Sequence, residues 1–277
     1  MRFVKQIFNF YINSSIHVAL AIYSLTFITL IQLNIPYDED LLLFVFFGSI
    51  TGYNFVKYFG LAKFHHRSLA NWLRVIQLFS LICFGVMCFF ALKLQFNAII
   101  LLLLMALITF FYAAPLLPKE LFLDNAYNLR TISGLKVYVI SFVWTVVTVL
   151  LPVINNNYSI DHDVLIISFQ RYLYVIILIL PFDIRDLHYD SLKLGTIPQR
   201  IGISMTKKLG VFLLILFFLL EFLKDEINSD TLIISGVLTV ITGVFIVFSS
   251  KHRGRNYSAF WVEGLPVFWL VLVLIFD

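Results

Sequence analysis

The residues best suited to chemistry lie in one polar stretch from Pro181 to Gly202, which reads PFDIRDLHYDSLKLGTIPQRIG. Asp183, Asp186 and Asp190 are spaced so that a helix carrying them would present all three carboxylates on one face. Carboxylates one turn apart repel each other unless a cation lies between them, and a hard divalent ion with oxygen ligands meets that need best. The stretch therefore predicts a divalent-cation site.

Basic side chains follow these carboxylates closely, at Lys193, Arg200, Lys207 and Lys208. Carboxylates that hold a metal ion and cations that hold an anion are the two parts of a metal-bridged diphosphate site. Ionisable side chains beside a membrane helix are candidates for function by default. A diphosphate site at the end of such a helix is the resulting prediction.

The rest of the chain is too apolar for a soluble protein. Its 277 residues are 61% hydrophobic and 13% charged, whereas soluble domains are about 45–50% apolar. A membrane-spanning helix needs about 20 apolar residues, and the chain offers nine such runs: 15–34, 41–60, 72–92, 96–117, 132–154, 164–182, 209–223, 231–250 and 258–276. We expect an all-α integral membrane protein with nine transmembrane helices that form a single domain over residues 1–277.

Charge asymmetry predicts the orientation of these helices. All but three of the 20 Lys and Arg residues lie in the N-terminal flank or in the connections 57–74, 118–136, 183–208 and 251–258. Basic connections stay in the cytoplasm, so we expect a cytoplasmic N-terminus and a C-terminus on the opposite side of a membrane of the bacterial inner-membrane type. The net charge of +4 then reflects topology and anionic lipid headgroups, and it gives no reason to expect nucleic acid as a partner.

A second group of polar residues follows the second apolar run. If that helix continues past the membrane edge, Asn54, Lys57 and Tyr58 share a face, and Lys63 and Arg67 lie beyond it. Two interpretations stay open. The group is either an anion-binding rim beneath the mouth of a cavity, or an ordinary set of positive anchors on a cytoplasmic connection.

The fourth apolar run ends in FYAAPLLPKELF, in which two prolines break the helix between Tyr112 and Lys119. Either these two side chains reach a ligand at the same membrane face as the aspartates, or the segment is an ordinary helix exit.

Two ionisable residues lie within predicted spans. Arg171 precedes Pro181 by about ten residues, hence about 15 Å at 1.5 Å per residue. A guanidinium facing lipid is costly, so Arg171 either faces a polar interior or, if the helix begins later, reaches the outer interface. Glu263 lies about a turn inside the last run, where we expect it to contact a cavity on the cytoplasmic side.

The arrangement of nine runs, with polar stretches after the second and the sixth, resembles the UbiA superfamily of intramembrane prenyltransferases. The family's second acidic motif is similar to DIRDLHYDSLKLGTIPQRIG, with Asp186 and Asp190 at its DxxxD pair and Asp183 at the preceding polar position. The FYAAPLLPK segment resembles the family's Tyr- and Pro-containing stretch after the fourth span. The resemblance extends over the whole chain.

The resemblance implies a bundle with a central cavity open to the cytoplasmic side, in which Asp183, Asp186 and Asp190 hold Mg²⁺. It implies transfer of a prenyl group from a prenyl diphosphate to a lipophilic acceptor, an aromatic compound or quinone precursor, within the lipid bilayer. Asp186 and Asp190 would be catalytic. The substrate-binding residues would be Asn54, Lys57, Lys63, Arg67, Tyr112, Lys119, Arg185, Lys193 and Arg200.

The sequence departs from the family at its first motif, NxxxDxxxD. Asn54 stands at the Asn position, but Tyr58 and Ala62 occupy the two Asp positions. Cations such as Lys57 and Lys63 could neutralise phosphate in place of the missing metal ligands. The alternatives are a non-catalytic isoprenoid-binding or partner subunit of the same fold, or an unrelated transporter or scaffold whose acidic run is a solvated connection.

Overall fold

The computed structural model of the protein describes residues 2–58, 71–113, 134–187, 195–226 and 228–276, and these residues contain helices and connections without a strand. The helices are α1 (Arg2–Asn13), α2 (Ile16–Gln32), α3 (Glu39–Tyr58), α4 (Asn71–Ala91), α5 (Phe96–Ala113), α6 (Leu135–Asn155), α7 (His162–Asp186), α8 (Ile197–Leu223), α9 (Ser229–Val247) and α10 (Tyr257–Phe276). The all-α membrane architecture predicted from composition is confirmed.

Seven of these helices, α3, α4 and α6 to α10, are long and apolar enough to cross a membrane. Helices α1 and α2 form a further candidate that is bent by 56°, and α5 is a shorter apolar helix. Each of the nine predicted runs therefore overlaps a helix of the described part. The protein is an integral, multi-pass membrane protein, while the number of nine crossings stays a prediction.

The break between α1 and α2 lies at two buried serines. Ser15 adopts the left-handed conformation, with a φ of 64°, which L-residues other than Asn and Asp rarely enter. Ser14 and Ser15 are both fully buried. The bend therefore places both serines inside the bundle, close to the ends of other helices.

Helix α8 begins well before the predicted seventh span, 209–223. Thr196 stands at its N-cap, where the Gln199 side chain accepts from the Thr196 N–H over 2.9 Å. Pro198 fits the first turn, where no N–H is needed. Gly202, with a φ of 78°, interrupts the helix one turn later. Hydropathy alone missed this start because the first turns of α8 are polar.

Helix α7 is the most buried of the seven membrane-crossing candidates. Its start is capped by Asp161, whose Oδ1 accepts from the Val164 N–H over 2.9 Å. Helices α6 and α8 pack on α7, α3 packs between α2 and α4, and α10 packs on both α2 and α9, which closes the bundle. The residues at the end of α7 thus lie among several other helices.

The centre of the bundle contains a charged residue. Arg171 is 1% exposed, and its guanidinium lies 5.1 Å above the Trp269 ring and donates to Thr29 Oγ1 over 3.1 Å. Tyr174 and Phe217 pack on the same indole, with ring centroids 5.3 and 5.8 Å away. Of the two positions predicted for Arg171, the interior one is correct.

The two ends of the bundle differ in charge. At one end, which we call the acidic end, Lys93 pairs with Asp40 over 2.7 Å, and the Asn155 amide donates to Asp38 over 2.8 Å. The opposite end, the basic end, contains Lys57, Lys136, Arg185, Arg200 and Arg255, and this is the end that α7 reaches at Asp186.

Candidate active site at the basic end

Asp183 lies on the last turn of α7 and is fully buried. Lys136, on the first turn of α6, donates to Asp183 Oδ1 over 2.9 Å. A buried carboxylate needs such a partner because the loss of its hydration costs several kcal/mol. The pair fixes the end of α7 against the start of α6.

The second carboxylate of this turn, Asp186, is held by its neighbour. Arg185 Nε and Nη2 donate to the two oxygens of Asp186 over 2.6 and 2.7 Å, a bidentate pair. Arg185 Nη1 also donates to Ser258 Oγ over 2.5 Å, at the start of α10. Arg185 therefore links the acidic turn of α7 to the last helix.

Asn54 lies in a buried network at the end of α3. Its amide donates to the Ser14 carbonyl over 3.0 Å and to Ser80 Oγ over 2.6 Å, and its Oδ1 accepts from Ser15 Oγ over 2.8 Å. This residue uses its donors and acceptor to join α3 to α4 and to the break between α1 and α2. Its observed contacts are those of a positioning residue.

Lys57 extends this network towards the mouth of the bundle. Its Nζ donates to Ser15 Oγ over 2.8 Å. One residue later, the Tyr58 hydroxyl donates to the Asn13 carbonyl over 2.8 Å, and Arg255 Nη2 donates to Asn13 Oδ1 over 2.5 Å. The position of the family's first aspartate is thus occupied by a hydroxyl bonded to the backbone, with two cations nearby.

The start of α10 is a π-helical turn over Tyr257–Val262, a feature often found at functional sites. Its Phe260 carbonyl accepts from His17 Nε2 over 2.8 Å, which fixes the proton on that nitrogen. Tyr11 then donates to His17 Nδ1 over 2.7 Å. Glu263, at the end of this turn, interacts electrostatically with Lys57 and Arg185, while its predicted contact with a cytoplasmic-side cavity stays a prediction.

Two further predicted residues, Tyr112 and Arg200, lie near the ends of helices. Tyr112 is 5% exposed at the end of α5. Arg200 lies on the first turn of α8 with its guanidinium beside Gly134, next to the start of α6. The other predicted residues lie outside the described ranges; they are Lys63, Arg67, Lys119, Asp190 and Lys193.

Sequence reasoning missed three contributors to this end: Lys136, Ser258 and Arg255. Lys136 is separated from Asp183 by 47 residues, and Ser258 from Arg185 by 73. A basic residue at the start of a span is ordinary in a membrane protein. The one available signal was that Asp183 would need a cation if its face of α7 were buried.

Donor chemistry at the end of α7 fits a hard divalent cation. Asp183 and Asp186 offer carboxylate oxygens one turn apart, and each attracts a cationic group, from Lys136 and Arg185 respectively. A metal ion would neutralise the same two carboxylates that these cationic groups neutralise, so the turn is suited to positive charge. Two of the three predicted metal ligands therefore lie on one turn, the third, Asp190, is outside the described ranges, and the metal site itself stays a prediction.

A different group of His and carboxylate side chains converges at the acidic end. Candidate ligand atoms of His162, Asp163 and Asp225 lie within 4.8 Å of one another. His162 and Asp225 are exposed, and exposed acidic groups of this kind are common without a metal. This group lies at the opposite end of α7 from Asp186.

The predicted central cavity stays a prediction. Two open depressions of about 440 Å³ each lie on the outside of the described bundle. One lies on the outer face of α8 beside Val247 at the end of α9, and the other at the start of α10.

Comparison with known proteins identifies the fold. No protein-family model matches the chain, and no curated protein matches its sequence. A solved structure of a digeranylgeranylglyceryl phosphate synthase, a UbiA-superfamily prenyltransferase, superposes with a TM-score of 0.57 over 98% of this chain and 97% of that one, at 17% sequence identity.

The chain has the UbiA fold.

In this chain the predicted acidic motif begins on the last turn of α7, the helix of the sixth predicted span. At 17% identity, the superposition shows only that the helices of the two chains are arranged alike.

Proposed function

We propose that this protein transfers a prenyl group from a prenyl diphosphate to a membrane-soluble acceptor, an aromatic compound or quinone precursor. The observation that carries the proposal is the position of Asp183 and Asp186 on the last turn of α7, where they pair with Lys136 of α6 and with Arg185 of α7 itself. A diphosphate carries several negative charges, so a site for it needs such cations at an accessible end of the bundle.

The cations would bind the departing diphosphate. Arg185 has a planar guanidinium that suits bidentate contacts to phosphate oxygens, and it is already held by Ser258. Lys57, Arg255 and Arg200 surround the same end. As the allylic C–O bond breaks, the diphosphate leaves with the electron pair, and these positive groups would stabilise the charge that develops on it.

Magnesium is the cofactor we propose, with Asp186 and Asp190 as catalytic ligands and Asp183 in support. Bound there, it would supply charge stabilisation on the diphosphate. In the described structure Lys136 and Arg185 neutralise two of these carboxylates. Both side chains become available to the diphosphate once another cation takes over that role.

The prenyl tail and the acceptor would lie among the helices. A carbocation left on the prenyl chain is stabilised by aromatic faces, and the bundle interior next to this end contains Tyr53 and Trp144, joined by a hydrogen bond of 2.7 Å. Carbon–carbon bond formation to the acceptor then releases a proton from it. We place the basic end in the cytoplasm, following the positive-inside rule.

A transfer assay tests this proposal. Purified protein is supplied with prenyl diphosphates of several chain lengths and with aromatic acceptors, in magnesium or in a chelator, and prenylated product is measured. We expect product with magnesium, loss of at least about 100-fold in Asp186→Asn, and no change in the matched control Asp163→Asn at the acidic end. Normal turnover by Asp186→Asn would contradict the proposal.

A second candidate function is isoprenoid binding without catalysis, as a binding or partner subunit. Tyr58 favours it, because this residue replaces an acid of the family's first motif and its hydroxyl is bonded to the Asn13 carbonyl. Saturable binding of a prenyl diphosphate without any product, across all acceptors tested, would select this function over the first.

A further inference from the structure

A shallow groove lies on the outer face of α8, beside the last residue of α9, Val247, and near the basic end. It has a volume of about 440 Å³ and is open to the surroundings. Its lining divides into a polar head and an apolar body: Ser204, Lys207 and Lys208 form the head, and Val211, Phe212, Ile215 and Val247 form the body.

The head of the groove is positively charged. Lys207 Nζ donates to the Val247 carbonyl over 2.8 Å, which holds its ammonium across the top of the groove, and Lys208 beside it is exposed. The sequence contains no Asp or Glu between positions 195 and 220 or between 231 and 262. An anion at the head would therefore meet two cations without a nearby acid from either helix.

The body of the groove follows the membrane direction. Ile215 is eight residues beyond Lys207, so the apolar wall extends about 12 Å below the lysines at 1.5 Å per residue. Phe212 and Ile215 are 62% and 51% exposed. Side chains this apolar and this exposed on a membrane helix are covered by lipid or by another apolar surface.

From this pattern we propose that the groove binds an anionic phospholipid, with its phosphate at Lys207 and Lys208 and an acyl chain along Val211, Phe212 and Ile215. Charge at one end and a long apolar wall below it match the two parts of such a lipid. A two-fold copy of the chain is a poorer occupant. In a membrane dimer the lysines of both copies would lie at the same depth, without acids on α8 or α9 there to pair them.

Native mass spectrometry of the detergent-purified protein tests this proposal. Phosphatidylglycerol and phosphatidylcholine with identical acyl chains are added in competition. We expect preferential retention of phosphatidylglycerol by the wild type, and a loss of that preference by about tenfold in Lys207→Gln/Lys208→Gln. Lys251→Gln, another exposed lysine at the same end, is the matched control and should keep the preference.

Three outcomes would overturn the proposal: equal retention of both lipids by the wild type, an unchanged preference in the double variant, or an equal loss in Lys251→Gln. Glycerol phosphate, which lacks acyl chains, separates the two sources of a phosphate group. If it displaces phosphatidylglycerol at equal concentration, the site binds free phosphate compounds and the lipid assignment is wrong. None of these outcomes depends on prenyl transfer.

Discussion

Lys136 Nζ lies 2.9 Å from Asp183 Oδ1 and joins the first turn of α6 to the last turn of α7. The carboxylate is fully buried, while the lysine side chain is 29% exposed. The carboxylate whose ion pair stabilises this end of the bundle is thus one that the sequence predicts to be a metal ligand. We therefore expect stability and ligand binding to be coupled at this position.

Removing the lysine should therefore destabilise the protein. We expect Lys136→Met to lower the free energy of unfolding by about 3 kcal/mol, because it leaves a buried carboxylate without this cation. Lys136→Met/Asp183→Leu removes both charges and should recover most of the loss. Denaturant titration in detergent measures both variants, and equal destabilisation by the single and double changes would refute the role of the ion pair.

Arg185 should govern the affinity for diphosphate. We expect Arg185→Gln to weaken binding of inorganic diphosphate by about tenfold or more, and Arg185→Lys to give an intermediate loss, because lysine keeps the charge but not the planar fork. Isothermal titration calorimetry measures the affinities. Arg253→Gln, an exposed arginine at the same end, serves as the control, and an equal effect there would mean that only overall charge matters.

Arg171 should reduce stability in the wild-type protein. Its Nη2 is bonded to Thr29, but its Nε and Nη1 make no hydrogen bond within the described structure. Replacing a buried charge by an apolar side chain of similar length is often stabilising, so we expect Arg171→Met to raise the free energy of unfolding by about 1–2 kcal/mol. A clear loss of stability would show that the Trp269 contact outweighs the desolvation.

Asn54 should matter for stability rather than for chemistry. Asn54→Ala removes two donors and an acceptor from a buried network and should cost about 2 kcal/mol. Asn97→Ala, at an exposed position on α5, is the matched control and should be nearly neutral. If Asn54→Ala keeps its stability but loses diphosphate binding, Asn54 is a ligand-binding residue and the positioning role is wrong.

The helices were largely predictable from sequence because a membrane span requires a long apolar run, and the chain has few polar interruptions. The exception is the start of α8. It is built from Thr196, Pro198 and Gln199, which are capping residues with little hydropathy signal, so the apolar run predicted only 209–223 of this helix.

The candidate site was predictable only in part. Helical periodicity correctly placed Asp183 and Asp186 on the same turn at the end of α7. Their partners could not be predicted, because Lys136 and Ser258 reach the turn from helices distant in sequence. The sequence also left two positions possible for Arg171. The interior one depends on the Trp269 ring, which comes from the last helix and could not be placed beside Arg171 from the sequence.

Photo-crosslinking tests the central claim most directly. A photoreactive prenyl diphosphate is irradiated with the purified protein, and the labelled peptides are identified by mass spectrometry with and without an excess of unlabelled prenyl diphosphate. We predict competed labelling at the basic end, in the peptides that carry Lys57 and Arg185. Competed labelling confined to the acidic end, around Asp163 and Asp225, would contradict the account.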